Sequence, residues 1–208
     1  ASLRAELIAK RGREADAGVG AAPMSVAYVA REVARLVDDR TIVVDDSTTA
    51  ISTTREHIPT TVPGSYFQPI GSSMGWGSGA ALGAKLASPQ STVINLNAEG
   101  NFVSGVPEAM LWAAVNAEAP FLIVVFNNSQ YAAIKLGMAF SYPDSHALRA
   151  GTAIDFRSPP DFAAIATACG CHGERVADPA DLPGALRRGL DALRDGRPAV
   201  VDVEVAAP

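Results

Sequence analysis

Clustered basic residues are missing from this sequence: its 17 Lys and Arg alternate with 22 Asp and Glu and leave a net charge of −5. A nucleic-acid or anionic-membrane surface needs a basic patch, so neither partner is expected. Long apolar runs are missing too. The longest, PFLIVVF at residues 120–126, falls far short of the roughly 20 residues that span a bilayer. No signal-peptide pattern opens the chain. Cysteine is scarce: Cys169 and Cys171 stand too close together for an ordinary bridge and have no nearby histidine group for zinc. A reduced, cytoplasmic protein is the expectation. The chain also lacks an initial Met and starts ASLRAELIAKRG, as a piece cut from a longer protein would. What remains, 208 residues at 48% hydrophobic and 19% charged, suffices for one globular domain with a substantial core.

Residues 1–24 read as a charged helix and a Gly/Ala tether from a preceding domain, with the domain proper at 25–208. SVAYVAREVARLV (25–37) has apolar residues at helical spacing, and TIVVDDSTTA (41–50) is an apolar strand that breaks into polar groups. The alternation then repeats. A Gly-rich segment enters a small-residue helix up to residue 87, STVINLN is a strand, VPEAMLWAAVNA a helix and FLIVVFNN a strand. Two further helices, PDFAAIATACG and ADLPGALRRGLDALRDG, precede a closing strand, PAVVDVEV (198–205). Strand and helix in alternation predict an α/β fold, a three-layer αβα sandwich around a mostly parallel sheet. Ligands in such folds sit beyond the carboxyl ends of the strands. Three of those ends here are polar: 45–49, 97–101 and 127–130.

The second of these, INLNAEGNF (94–102), offers one carboxylate, Glu99, beside Gly100 and Asn101, and Asn127 and Asn128 follow 26 residues later. A strand-loop-helix-strand unit of that length brings the two strand ends side by side, placing a carboxylate and an amide oxygen near one cation. Oxygen-only ligands suit Mg²⁺ or Ca²⁺. With so few protein ligands, Mg²⁺ would complete its octahedron from water and phosphate oxygens, which makes a diphosphate the natural partner. Small residues leave backbone N–H groups free to approach it.

With these motifs in place, the chain from about residue 23 to 205 resembles the thiamine diphosphate (ThDP)-dependent decarboxylases and carboligases, especially benzoylformate decarboxylases and acetolactate synthases, in their carboxyl-terminal ThDP-binding fold. DDSTTA (45–50) resembles their first strand-end loop, which implies that Thr48 and Thr49 bind the terminal phosphate. PGSYFQPIGSSMGWGSGAALGAKLA (63–87) resembles the segment that grips the aminopyrimidine. There the likeness makes Met74 the wedge between the cofactor's rings and Ser72 the donor of a backbone carbonyl to the 4′-amino group, the two residues closest to a catalytic role. AEG plus NN resembles the family's GDG-to-NN motif. It implies Glu99, Asn128 and the Gln130 carbonyl as metal ligands, with Ala98, Gly100 and Asn101 beside the diphosphate and Tyr131, Ala132 and Ile134 lining the pocket, Ile134 nearest the substrate. Two departures stand out: Ala98-Glu99-Gly100 replaces Gly-Asp-Gly, and the stretch from Glu99 to Asn128 is about two residues longer than the family's pattern. The resemblance implies ThDP and Mg²⁺ as cofactors and a 2-keto acid as substrate. It further implies lyase or transferase chemistry, and a dimer or tetramer when complete. A pyrimidine-binding domain or subunit, which supplies the family's essential glutamate, is not in this sequence.

Other readings compete. GWGSGAALG (75–83) holds Gly77, Gly79 and Gly83 in a spacing like a dinucleotide fingerprint, with Glu99 about twenty residues on, which would suit an NAD(P)-binding oxidoreductase domain. SYFQPIGSSM in front of it contains Pro69 and lacks the apolar strand such a fingerprint follows. A non-catalytic assembly domain is the third reading. Residue by residue, Asp45 and Asp46 serve either as caps for the next helix or near the cofactor, Asn127 is structural, and Met74 in isolation is core filling. The cysteines pack, and His57, His146 and His172 are scattered surface residues.

Overall fold

The structure, a computed structural model, describes residues 3–59, 61–71, 73–152 and 154–208. In chain order the elements begin with α1 (Leu3–Ala17), α2 (Val26–Ala34), β1 (Thr41–Asp46), a single 3₁₀ turn (Thr48–Ala50), α3 (Ile51–His57) and β2 (Tyr66–Phe67). They continue with α4 (Trp76–Ala87), β3 (Thr92–Ala98), α5 (Glu99–Ser104), α6 (Pro107–Asn116), β4 (Leu122–Asn127), α7 (Ala132–Ser141) and α8 (His146–Ala150). The last are α9 (Phe162–Ala168), β5 (His172–Val176), α10 (Leu182–Arg194) and β6 (Ala199–Glu204). The strands form one sheet, parallel throughout, in the order β2-β1-β3-β4-β6-β5.

Period-two alternation explains the layers. Along β4, Leu122, Val124 and Phe126 face a core completed by α2 and α10, while Ile123 and Val125 face the opposite core under α4, α5, α6 and α9. Both faces are covered, so the middle strands read as continuous apolar runs. Each fully buried Val, Leu or Ile contributes about 1.5–3 kcal/mol. Helix starts follow local chemistry: Ser25 Oγ accepts the Tyr28 N–H at 3.1 Å before α2, and Asp161 accepts the Ala164 N–H at 2.8 Å before α9. Met24, at the end of the expected tether, is already fully buried and pairs with Val205.

Two strands escaped the sequence pattern. β5, HGERV, has polar residues at its middle because it is an edge strand, and its Glu174 is held by Arg188 at 2.5 Å. β2 is two residues long and half-exposed at the other edge. Cys171 packs in the second core, where burial pushes its thiol up to about 11; Cys169 lies beside that core and both are free thiols. No helix among the described residues is long and apolar enough to cross a membrane.

Candidate functional site

Register brings three strand ends to one rim. Asp46 pairs with Asn97, Ala98 with Phe126, and Asn127 with Glu204, so the loops after β1, β3 and β4 leave the sheet side by side. Thr48 turns the first loop with φ +50, a conformation costly for a β-branched residue, and its Oγ1 accepts from Asn101 Nδ2 at 2.7 Å. Asp45 fixes the same loop from beneath by accepting from the Ser47 N–H at 3.0 Å and from the hydroxyls of Thr54 and Tyr66. That is an internal anchor rather than a helix cap.

The loop after β4 is braced from both sides. Asn127 Nδ2 donates to Asp202 Oδ1 at 2.9 Å, and Asn127 Oδ1 accepts the Ser129 N–H at 3.0 Å, which holds Ser129 at φ +58. From outside, Phe156 N–H donates to the Ser129 carbonyl and Tyr131 N–H to the Ile154 carbonyl, each at 2.8 Å. Asn127 is therefore structural, and its neighbour Asn128 faces the hollow. Burial pushes the Asp202 carboxyl up to about 6.

These loops enclose a cavity of about 500 Å³, within the usual range for small-molecule sites. Thr48, Thr49, Met74, Ala98, Glu99, Gly100, Asn101, Asn128, Gln130, Tyr131, Ala132 and Ile134 all line it. Ser72 lies outside the described residues. Gly100 needs its missing side chain: a Cβ there would sit 2.8 Å from the Tyr131 ring, which packs edge-on against Phe156 at 4.7 Å. Pro69, Gly71 and Ser73 on the wall come from the segment likened to the aminopyrimidine grip, and Ala133 from the 131–134 stretch likened to the pocket lining; Ile51 is the wall residue that sequence reasoning missed. No motif marks Ile51, and only its adjacency to Thr48 and Thr49 could have found it.

Glu99 opens α5 and is 1% exposed. Burial pushes its carboxyl up to about 7; backbone N–H groups, foremost that of Gln130, oppose the rise, and no basic side chain does so. Its Oε1 accepts the N–H of Gln130 at 3.0 Å and of Asn128 at 3.3 Å, which ties the ends of β3 and β4 together. Asn128 Oδ1 and the Gln130 carbonyl each accept one internal N–H, at 3.2 and 2.9 Å, and each keeps a second lone pair. Among the described residues lining the cavity there is no Lys or Arg, and no cluster of three or more His, Cys, Asp or Glu that could hold a metal occurs among the described residues. A cation here would rest on one carboxylate and amide oxygens. An anionic ligand would in turn depend on that cation and on N–H and hydroxyl donors for charge balance. The donor set fits a hard divalent ion carrying a diphosphate.

The dinucleotide-like glycines are misplaced for their rival role. Gly77, Gly79 and Gly83 lie inside α4, and the strand preceding it is the two-residue β2 with eight residues between.

Comparison with known proteins gives a match to the family model described as thiamine pyrophosphate enzyme, C-terminal TPP binding domain, over residues 46–203. Benzoylformate decarboxylase of Pseudomonas aeruginosa is 30% identical over 163 residues, which cover 78% of this chain and 29% of the relative. Acetolactate synthase isozyme 3 large subunit of Escherichia coli is 33% identical over 132 residues, 64% of this chain and 22% of the relative. Among solved structures, the thiamine diphosphate-dependent 4-hydroxybenzoylformate decarboxylase of Rhodococcus jostii RHA1 superposes with a TM-score of 0.79 at 27% identity, covering 91% of this chain and 34% of that one. The chain thus spans less than a third of the length of these curated relatives.

Proposed function

The chain belongs to the thiamine pyrophosphate enzyme family, matching its C-terminal TPP-binding domain, and from that premise we propose that it anchors the diphosphate end of ThDP in a 2-keto acid decarboxylase or carboligase. Glu99, the Asn128 amide oxygen and the Gln130 carbonyl would hold Mg²⁺, and the hydroxyls of Thr48 and Thr49 with the backbone N–H of Asn101 would meet the phosphates, while the Asn101 side chain holds Thr48 in place. Met74, 45% exposed at the cavity wall, is available to wedge between the cofactor's rings, and Ser72 would meet the aminopyrimidine through its carbonyl. When bound, ThDP would supply the electron sink that decarboxylation of a 2-keto acid requires. The residues of this chain orient that group, exclude water with Tyr131 and Ile134, and balance the diphosphate charge.

The observation that carries this reading is the buried Glu99 carboxylate, without a basic partner, at a rim where three polar loops converge. Substrate chemistry would be completed by a pyrimidine-binding domain or subunit, in a dimeric or tetrameric assembly. Differential scanning fluorimetry separates the possibilities. ThDP with Mg²⁺ raises Tm through mass action on the folded state, and ThDP with EDTA does not. A rise with NAD(P) instead, or with neither ligand, would refute the proposal.

A further inference from the structure

Asp46, which the sequence left open as a helix cap or a neighbour of the cofactor, lies on the cavity wall, and several other walls of the cavity meet on it. Its carboxylate is 2% exposed. Oδ2 accepts the Gly77 N–H at 2.9 Å and Oδ1 accepts from Asn101 Nδ2 at 2.8 Å. The same Asn101 nitrogen also reaches the Asp46 carbonyl and Thr48 Oγ1, each at 2.7 Å. One side chain at the end of β1 therefore joins the first turn of α4, the first turn of α5 and the turn that carries Thr48.

The α4 connection is the consequential one. Gly75, at φ +85, turns the chain from Met74 into α4, and Gly77 lies two residues further on. A Cβ on Gly77 would come within 2.4 Å of the Asp46 Cβ, so the close approach of β1 to the helix start requires glycine. Asn101 keeps two further acceptors if the carboxylate is lost. Among the described residues the Gly77 N–H, an orphan donor of the helix start, has the carboxylate alone.

Resting on the cofactor reading above, we propose that Asp46 is a positioning residue: it sets the Met74 wall, which meets the aminopyrimidine side of ThDP, in register with the Thr48 and Glu99 walls, which meet its diphosphate. Asp46 need not touch the cofactor to do this. It acts through Gly77 and Asn101.

The test compares two ligands on the full-length gene product by isothermal titration calorimetry: ThDP with Mg²⁺, which spans both walls, and inorganic pyrophosphate with Mg²⁺, which engages one. In Asp46→Ala, which removes the only side-chain acceptor named for the Gly77 N–H, the ThDP affinity falls by roughly tenfold, the scale of one lost hydrogen bond to a charged group, while the pyrophosphate affinity changes far less, so the preference for ThDP collapses. Gly77→Ala, which displaces the carboxylate without removing it, gives the same collapse and adds a better helix former. A role confined to stability would weaken both ligands in proportion and leave their ratio at the wild-type value. That outcome overturns the proposal while leaving the ThDP reading intact. A wild-type protein with no preference for ThDP over pyrophosphate overturns both.

Discussion

Replacing the buried Asp202 by Asn is expected to stabilise the protein, and only above acidic pH. Asp202 is 1% exposed, and burial lifts its carboxyl from 3.8 to about 6. Between those values the folded state holds a proton that the unfolded state has released, so stability falls as pH rises through that window and is level above it. The shift corresponds to about 3 kcal/mol of lost stability at neutral pH. Asn keeps the oxygen that accepts from Asn127 Nδ2 and removes the charge. Because Asp202 Oδ2 has no partner among the described residues and an amide nitrogen there would share that fate, the realised gain lies below this ceiling. At about 2–4 °C per kcal/mol for a domain of this size, several degrees of Tm are at stake. Thermal melts at pH 4 and pH 7.5 without ligands decide it: the two proteins melt together at pH 4, and Asp202→Asn melts higher at pH 7.5. An Asp202→Asn protein that melts lower at pH 7.5, or differs equally at both pH values, refutes the reasoning.

Gly100→Ala places a methyl group against the Tyr131 ring and costs about 1–3 kcal/mol by overpacking, seen as a lower Tm together with a changed near-UV circular dichroism signal from the displaced Tyr131. Thr48→Gly removes a hydroxyl from a position already at φ +50. Relief of backbone strain offsets the added flexibility of glycine, leaving stability within about 1 kcal/mol, while calorimetric ThDP affinity falls by roughly tenfold. A large stability loss with unchanged affinity would assign Thr48 to folding alone.

The legible part of the fold was its middle. β1, β3, β4 and β6 are buried on both faces and announce themselves as apolar runs, and their polar ends pointed to the rim where the cavity lies. The edge strands were hidden because half of their surface faces solvent: Glu174 and Arg175 in β5 break any apolar pattern, and β2 is too short to have one. α7 was equally silent, since only its first residue, Ala132, is buried, and Leu136 and Phe140 are exposed to solvent. At the site, the family likeness supplied roles that spacing could not. Twelve of the thirteen residues it named line one cavity, with Ser72 outside the described residues. Asp46 shows the limit of local reading. As a neighbour of α3 it read equally as a cap for that helix or as a residue near the cofactor, but its carboxylate reaches α4, 31 residues away in sequence, a contact that only the parallel pairing of β1 with β3 and the packing of α4 against them create.

Calorimetric titration of ThDP into wild type and Glu99→Ala, each with Mg²⁺ and with EDTA, puts the buried carboxylate itself on trial. Saturable binding in the wild type that requires the metal, and a loss of two orders of magnitude or more in Glu99→Ala, about 2.7 kcal/mol, is the expected outcome. Equal affinity in the two proteins, or binding indifferent to EDTA, would remove Glu99 from any metal site and with it the proposed diphosphate anchor.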